Sequence, residues 1–343
     1  MAVTIKKIAE LAGVSAGTVD RALNNRGRVN PDVARRIREI AASLNYEPNR
    51  TARSLHIASK NLKIAVIMHT ETNLFFRSVL DGVEKASEDV GHNGVTVDVL
   101  PGHNFDAAYQ LAMIDKAVEQ GYNAIVIVPI VDDIIREKLN ELAERKFPIF
   151  LLTNTIDDVS FCEYIGCNYY EAGNLAAGLA NIISRESDRK AAFFSPTFHM
   201  LGHIRRYRGF VENRELRERG IETDLIELDT HDEISSYKRS LEYFRNNSAD
   251  IIIANSTGLK GGVLQALQES GHQKSTRIII YDYSEEIRPL MEDRTITACI
   301  DQSPATQGYN VIMSAFNSLL LNSYPKNRTS FVPLNILLKE SIG

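Results

Sequence analysis

Apolar residues recur at helical spacing through residues 5–12, where Ile5, Ile8, Ala9, Leu11 and Ala12 share a side and Thr4 stands ahead of them as N-cap. Gly13 breaks the run. Ser15 then caps a second helix over residues 16–23, with Val19, Ala22 and Leu23 facing inward and Thr18, Arg21 and Asn24 near the outside. Asn30-Pro31, an N-cap followed by proline at the first helical position, opens a third helix through Val33, Ile37, Ile40, Ala41 and Leu44. The segment from Tyr46 to His56 contains the breaker Pro48 and too few apolar residues to hold a helix in isolation. From Leu62 the pattern changes. Apolar strands at 63–68, 95–100, 124–129 and 149–152 alternate with amphipathic helices at 76–90, 106–120 and 132–146. The rhythm restarts after residue 170, with strands near 191–195, 223–228, 249–254 and 277–281. Continuous apolar strands separated by helices imply parallel sheets covered on both faces. The predicted fold class is therefore α/β: an all-α helix-turn-helix head followed by two doubly wound units in tandem. A ligand in such a body lies in the cleft between the units, where the carboxyl ends of the strands point.

Charge sharpens this division. Residues 1–60 hold eleven Lys and Arg against five Asp and Glu, a balance of +6, whereas the remainder holds twenty-eight against thirty-nine, or −11. A cationic head on an anionic body implies that one end meets a polyanion. No apolar stretch approaches the roughly 20 residues of a membrane helix, and the expected location is the cytoplasm. Cys162, Cys167 and Cys299 form neither a disulfide framework nor a metal knuckle and read as structural thiols. His199 and His203 have the i, i+4 spacing of a metal clamp but no third ligand accompanies them. Gly258, Gly261 and Gly262 lack a phosphate-loop spacing, and no nucleophile elbow or His-Glu-x-x-His is present, so neither an enzyme nor a cofactor is expected.

The order of helix-turn-helix, basic linker and two α/β units resembles the lactose-repressor/galactose-repressor family of bacterial transcription regulators across nearly the whole chain. Thr4-Ile5, Ala9, Ala12-Gly13-Val14-Ser15, Thr18-Val19, Arg21 and Leu23-Asn24 keep the family's opening, and Tyr46, Pro48-Asn49 and Ala52-Arg53-Ser54-Leu55 keep its hinge motif. The body is similar to ribose-type periplasmic binding proteins: Asn73-Leu74-Phe75-Phe76 follows the first strand, and Ile165-Gly166 with Ala172-Gly173 matches the crossover motif. Arg206 stands three residues before Gly209-Phe210, and Tyr281-Asp282 and Asp301-Gln302 fall where the family has G-[YF]-D and a late glutamine. The chain departs from the pattern at Asn168 and Tyr169, where the family has Asp-Asn, at Asp20, where it has serine, and at Thr153-Asn154, where many binders have Asp-Arg.

The resemblance divides the chain into a head at 1–48, a hinge at 49–61 and an effector-binding body at 62–343. Within the body it implies an N-subdomain of about 62–165 plus 302–328 and a C-subdomain of about 166–301 plus 329–343. It implies a homodimer whose heads read a pseudo-palindromic double-stranded operator, with the dimer contact mainly along the first unit and no tetramerising tail. A carbohydrate or sugar-phosphate effector is expected in the cleft, the run Arg205-Arg206-Arg208 leaving an anionic ligand open. A repressor of carbohydrate uptake or catabolism genes is the simplest role, with an activator of the same architecture or a sugar receptor as rivals.

For the DNA interface, Ser15, Ala16 and Gly17 are short enough for close backbone approach to phosphates, while Arg21 is the candidate fork for guanine O6 and N7. Asp20 either accepts from a cytosine amino group or pairs with a neighbouring arginine. Thr4, Lys6, Thr18, Asn24 and Arg28 are candidate backbone contacts, Thr18 having a helix-packing alternative. The resemblance assigns Asn49, Ala52 and Leu55 to a hinge that becomes helical on the operator, Leu55 wedging into the minor groove or else packing between domains. The effector set is Asn73, Phe75, Phe76, Asp132, Asn154, Asn168, Arg206, Asn255, Asp282 and Gln302. Phe75 and Phe76 either stack on ligand or fill the core, and Asp282 binds hydroxyls or makes a structural salt bridge.

Overall fold

The computed structural model describes residues 4–23, 29–44, 61–70, 74–103, 105–196, 201–229, 233–256, 260–271 and 276–342. The head consists of α1 (Ile5–Ala12), α2 (Ala16–Leu23) and α3 (Pro31–Ser43). The Thr4 hydroxyl accepts from the Lys7 amide at 3.3 Å, and Gly13 ends α1 in the left-handed region at φ 67°, a conformation that glycine adopts without a Cβ penalty. Asn30 caps α3 by accepting from the Asp32 amide at 2.9 Å. Ile8, Val19 and Ile37, one from each helix, form the solvent-free centre of this small core.

The first α/β unit runs β1 (Leu62–Ile67), α4 (Leu74–Gly91), β2 (Val95–Leu100), α5 (Ala107–Glu119), β3 (Ala124–Ile127), α6 (Asp133–Glu144), β4 (Ile149–Leu152) and β5 (Cys162–Gly166). The second begins with α7 (Tyr169–Ile183), β6 (Lys190–Pro196), α8 (Leu201–Val211), α9 (Arg214–Glu218) and β7 (Glu222–Leu228). It continues through α10 (Glu233–Asn246), β8 (Ile251–Ala254), α11 (Lys260–Glu269), β9 (Arg277–Tyr281), α12 (Arg288–Glu292) and β10 (Ala298–Asp301). The chain then recrosses: α13 (Pro304–Leu321) packs on α4, β11 (Arg328–Phe331) joins β5, and β12 (Asn335–Leu337) pairs antiparallel with β10.

Two six-stranded sheets result, ordered β11-β5-β4-β3-β1-β2 and β12-β10-β9-β8-β6-β7, with every pairing parallel except β12 on β10. Each sheet carries a buried apolar cluster on both faces, as the uninterrupted apolar runs of its central strands require. The last subdomain boundary differs from the expected break at 328/329. Residues 328–331 hydrogen-bond to Glu163–Gly166 of the first sheet, so the final crossing falls between Phe331 and Asn335. Burial alternation in so short an edge strand names no partner sheet.

Candidate functional site

In the head, Lys6, Ser15, Ala16, Gly17 and Arg21 are exposed, and Thr18 and Asp20 are half-buried. Ser15 caps α2: its Oγ accepts from the Thr18 amide at 3.1 Å and lies 2.9 Å from Thr18 Oγ1, which in turn accepts from Arg21 Nη2 at 3.4 Å. Thr18 is thus engaged within the helix in this state, and Arg21 is held over the N-terminal half of α2 by its own neighbour. Asn24, Arg28, Asn49, Ala52, Leu55 and Asn73 lie outside the described residues.

In the body, the carboxyl ends of the strands and helix α8 bring together Asn154, Arg206, Asn255, Asp282 and Gln302, half of the expected effector residues. Arg206, on α8, is buried. Its guanidinium lies between two rings, 4.0 Å from the Tyr281 centroid and 5.0 Å from that of Tyr169, while Nη1 donates to Asn255 Oδ1 at 2.9 Å and to the Asn255 carbonyl at 3.2 Å. Asn255, just past β8, passes the network on through Nδ2 to Ser195 Oγ at 3.0 Å. The close crossing of α7 and α8 makes this placement possible, because a Cβ on Gly173 would collide with the Arg206 carbonyl. Asp282, just past β9, accepts from Gln302 Nε2, and Gln302 Oε1 accepts from Cys167 Sγ at 2.9 Å. Cys167 and Gln302 sit in two of the segments that cross between the units, so the Asp282 carboxylate is hydrogen-bonded through Gln302 to both crossings.

On the first unit, Asn154 is buried past β4, with Nδ2 donating to the Pro129 carbonyl at 2.8 Å. Asn154 Oδ1, Thr153 Oγ1, Arg206 Nε and His203 Nδ1 are buried without a hydrogen-bond partner. Buried polar atoms are rarely left so, and these four, past β4 and on α8, have free hydrogen-bonding capacity of the kind a polar ligand can take up. Thr153 and Asp282 also hold φ of 56° and 69°, backbone strain of the kind that concentrates at functional sites.

Three of the expected residues have structural partners. Asp132 is the N-cap of α6, accepting from the Ile134 amide at 3.0 Å, and Asn168 is the N-cap of α7, accepting from the Glu171 amide at 3.3 Å. One side-chain oxygen of each is therefore engaged by a helix amide. Phe75 belongs with Phe76 to the first unit's core, and Phe76 meets the buried His69 edge-on at 4.7 Å. Thr153, Tyr169, Cys167 and His203 are the site residues that sequence reading did not select for this role. Tyr169 carried a signal, an aromatic where the resemblance has asparagine.

Burial pushes the Asp282 carboxyl up to about 6 against the pull of Arg206 and the Gln302 hydrogen bond. Burial, Arg206 and His69 push His203 down to about 3, so it is neutral at physiological pH and offers a neutral imidazole to the cleft. Burial likewise pushes the Cys167 thiol up to about 12, keeping it protonated and a donor. Among the described residues no three His, Cys, Asp or Glu side chains gather as a metal site, and no helix is long and apolar enough to cross a membrane.

Residues 4–49 match the family described as bacterial regulatory proteins, lacI family, and residues 64–320 match the periplasmic binding protein domain. The chain is 32% identical over 160 residues to the probable HTH-type transcriptional repressor ExuR of Bacillus subtilis, a stretch covering 46% of this chain and 44% of that protein. It is 25% identical over 292 residues to the HTH-type transcriptional regulator MalR of Streptococcus pneumoniae, covering 82% and 84% of the two chains. The fold is similar to that of GanP, a glucose-galactose binding protein from Geobacillus stearothermophilus, with a TM-score of 0.72 at 17% identity over 82% of this chain and 98% of that one.

Proposed function

We infer function from descent: the chain belongs to the lacI family of bacterial regulatory proteins, a DNA-binding head carried on a periplasmic-binding-protein domain, and it is a sequence-specific DNA-binding transcription regulator. It acts in the cytoplasm as a homodimer that represses carbohydrate uptake or catabolism genes, and a small polyhydroxylated effector in the cleft sets its affinity for the operator. Arg21 reads a base edge in each half-site, with Lys6 and the backbone around Ala16 and Gly17 on phosphates. In the cleft, Arg206 Nε and His203 face effector oxygens, while Asn154 Oδ1 and the Asp282 carboxylate accept from effector hydroxyls.

The observation that carries the effector reading is the set of four buried, unpartnered polar atoms contributed by both units, two just past β4 and two on α8. A ligand that satisfies them binds the folded state alone and raises its melting temperature by mass action. Thermal-shift measurements against D-glucose, D-galactose, D-ribose, D-xylose, maltose and D-glucuronate are expected to give a saturable rise with at least one sugar. That rise should vanish in Arg206→Met. A panel without any rise, or a rise that survives in Arg206→Met, contradicts the assignment.

A further inference from the structure

Tyr169 reaches from the second unit into the first. It opens α7, its side chain is buried, and its hydroxyl donates to the Thr153 carbonyl at 2.7 Å. The same ring lies 5.0 Å from the Arg206 guanidinium carbon, on α8, with Gly202 beneath it; a Cβ there would stand 2.7 Å from the ring. Thr153 is no ordinary acceptor. Its backbone sits at φ 56°, its own hydroxyl is buried without a partner, and Tyr164 Oη lies 3.0 Å from its carbonyl but shares its single proton with the Cys167 carbonyl at 2.9 Å. A strained peptide of this kind persists only where its surroundings over-determine it, and here the hydroxyl that donates to its carbonyl at the shorter distance, Tyr169, comes from the other unit.

We propose that Tyr169 is a positioning residue that couples the two halves of the cleft: its ring sets the plane of Arg206 while its hydroxyl holds the strained Thr153 carbonyl of the facing unit. A ligand that draws on Arg206 and Asn154 therefore meets both halves in one relative orientation, and a change in that orientation disturbs Arg206 and Thr153 together. The proposal rests on the cleft being the effector site. Its structural part is independent of any ligand.

Hydrogen exchange of the ligand-free full chain, read by mass spectrometry at neutral pH, tests it. Tyr169→Phe keeps the ring and removes the tie. Peptides containing Thr153 and Asn154 are expected to exchange about fivefold faster, the worth of one hydrogen bond between buried groups, while those containing Asn255 and Asp282 stay as in the wild type. Tyr169→Leu removes the ring as well and accelerates both sets. Tyr170→Phe, which loses a surface hydrogen bond to Glu212 one residue along the same helix, leaves both unchanged. Wild-type exchange in Tyr169→Phe, or uniform acceleration through the cores of both sheets, overturns the proposal, the second by making Tyr169 a general packing residue. A sugar that raises the wild-type melting temperature should raise that of Tyr169→Phe by less and that of Tyr169→Leu not at all; equal shifts in all three overturn the coupling. If no sugar shifts the wild type, the effector reading fails and the exchange data still judge the tie.

Discussion

Replacing Asp282 by Asn should make the ligand-free protein more stable and less able to bind its effector. The carboxyl is buried and its pKa stands at about 6 rather than 3.8, so ionising it in the folded protein costs about 3 kcal/mol at neutral pH. The sign follows from the raised value. Below pH 3.8 the group is neutral folded or unfolded and exerts no penalty, and as pH rises through about 6 the folded state loses that stability. Asparagine has the same shape, its Oδ1 accepts from Gln302 Nε2 as the carboxylate does, and it carries no charge to desolvate. Urea unfolding followed by circular dichroism between pH 4 and pH 8 should show the two proteins converging at pH 4 and Asp282→Asn ahead by up to about 3 kcal/mol at pH 8. The same variant should bind effector about tenfold or more weakly, because the charge-assisted hydrogen bonds from effector hydroxyls become neutral ones. Stability given up for binding is what a ligand-facing carboxylate predicts. A variant less stable than wild type at pH 8 would show that Asp282 is instead a structural ion-pair partner of Arg206.

Arg21→Ala should cost about 1–3 kcal/mol of operator affinity and relax base preference at one position per half-site, read by anisotropy with operator variants; uniform loss across variants would make Arg21 a phosphate contact. Operator affinity should fall steeply with salt because residues 1–60 carry a balance of +6, and a nearly flat salt series would contradict an electrostatic footprint. Gly173→Val should destabilise the second unit by about 2 kcal/mol or more and displace Arg206, since its side chain would overlap the Arg206 carbonyl; an unchanged melting temperature would refute the packing account.

The parts of the fold with strong local signals were legible in the sequence. Thr4, Gly13, Ser15 and the Asn30-Pro31 pair mark helix ends through short-range hydrogen bonds, and the structure uses them as such. Val95–Leu100, a valine-rich alternating edge strand, and Ile149–Leu152, a short buried apolar run, both coincide with their observed strands. Arg206, Asn255, Asp282 and Gln302 were found as strand-end or helix polar residues and do converge. What was not legible depends on pairing across long separations. Residues 328–331 reveal no preference for the first sheet until β5 is in place, and a cap such as Asp132 or Asn168 reads from sequence like a ligand contact. The left-handed backbone at Thr153 is held through its carbonyl by the Tyr169 hydroxyl, a tertiary contact with no trace in local sequence.

Selection of duplexes from a random DNA pool by the full chain, repeated with the best-stabilising sugar present, tests the central claim most directly. The account predicts enrichment of a two-fold symmetric sequence whose half-sites depend on Arg21, and a change in its recovery when the sugar is added. No enrichment, or a symmetric site whose recovery is the same with and without a sugar that demonstrably binds the cleft, would contradict an effector-controlled DNA-binding regulator.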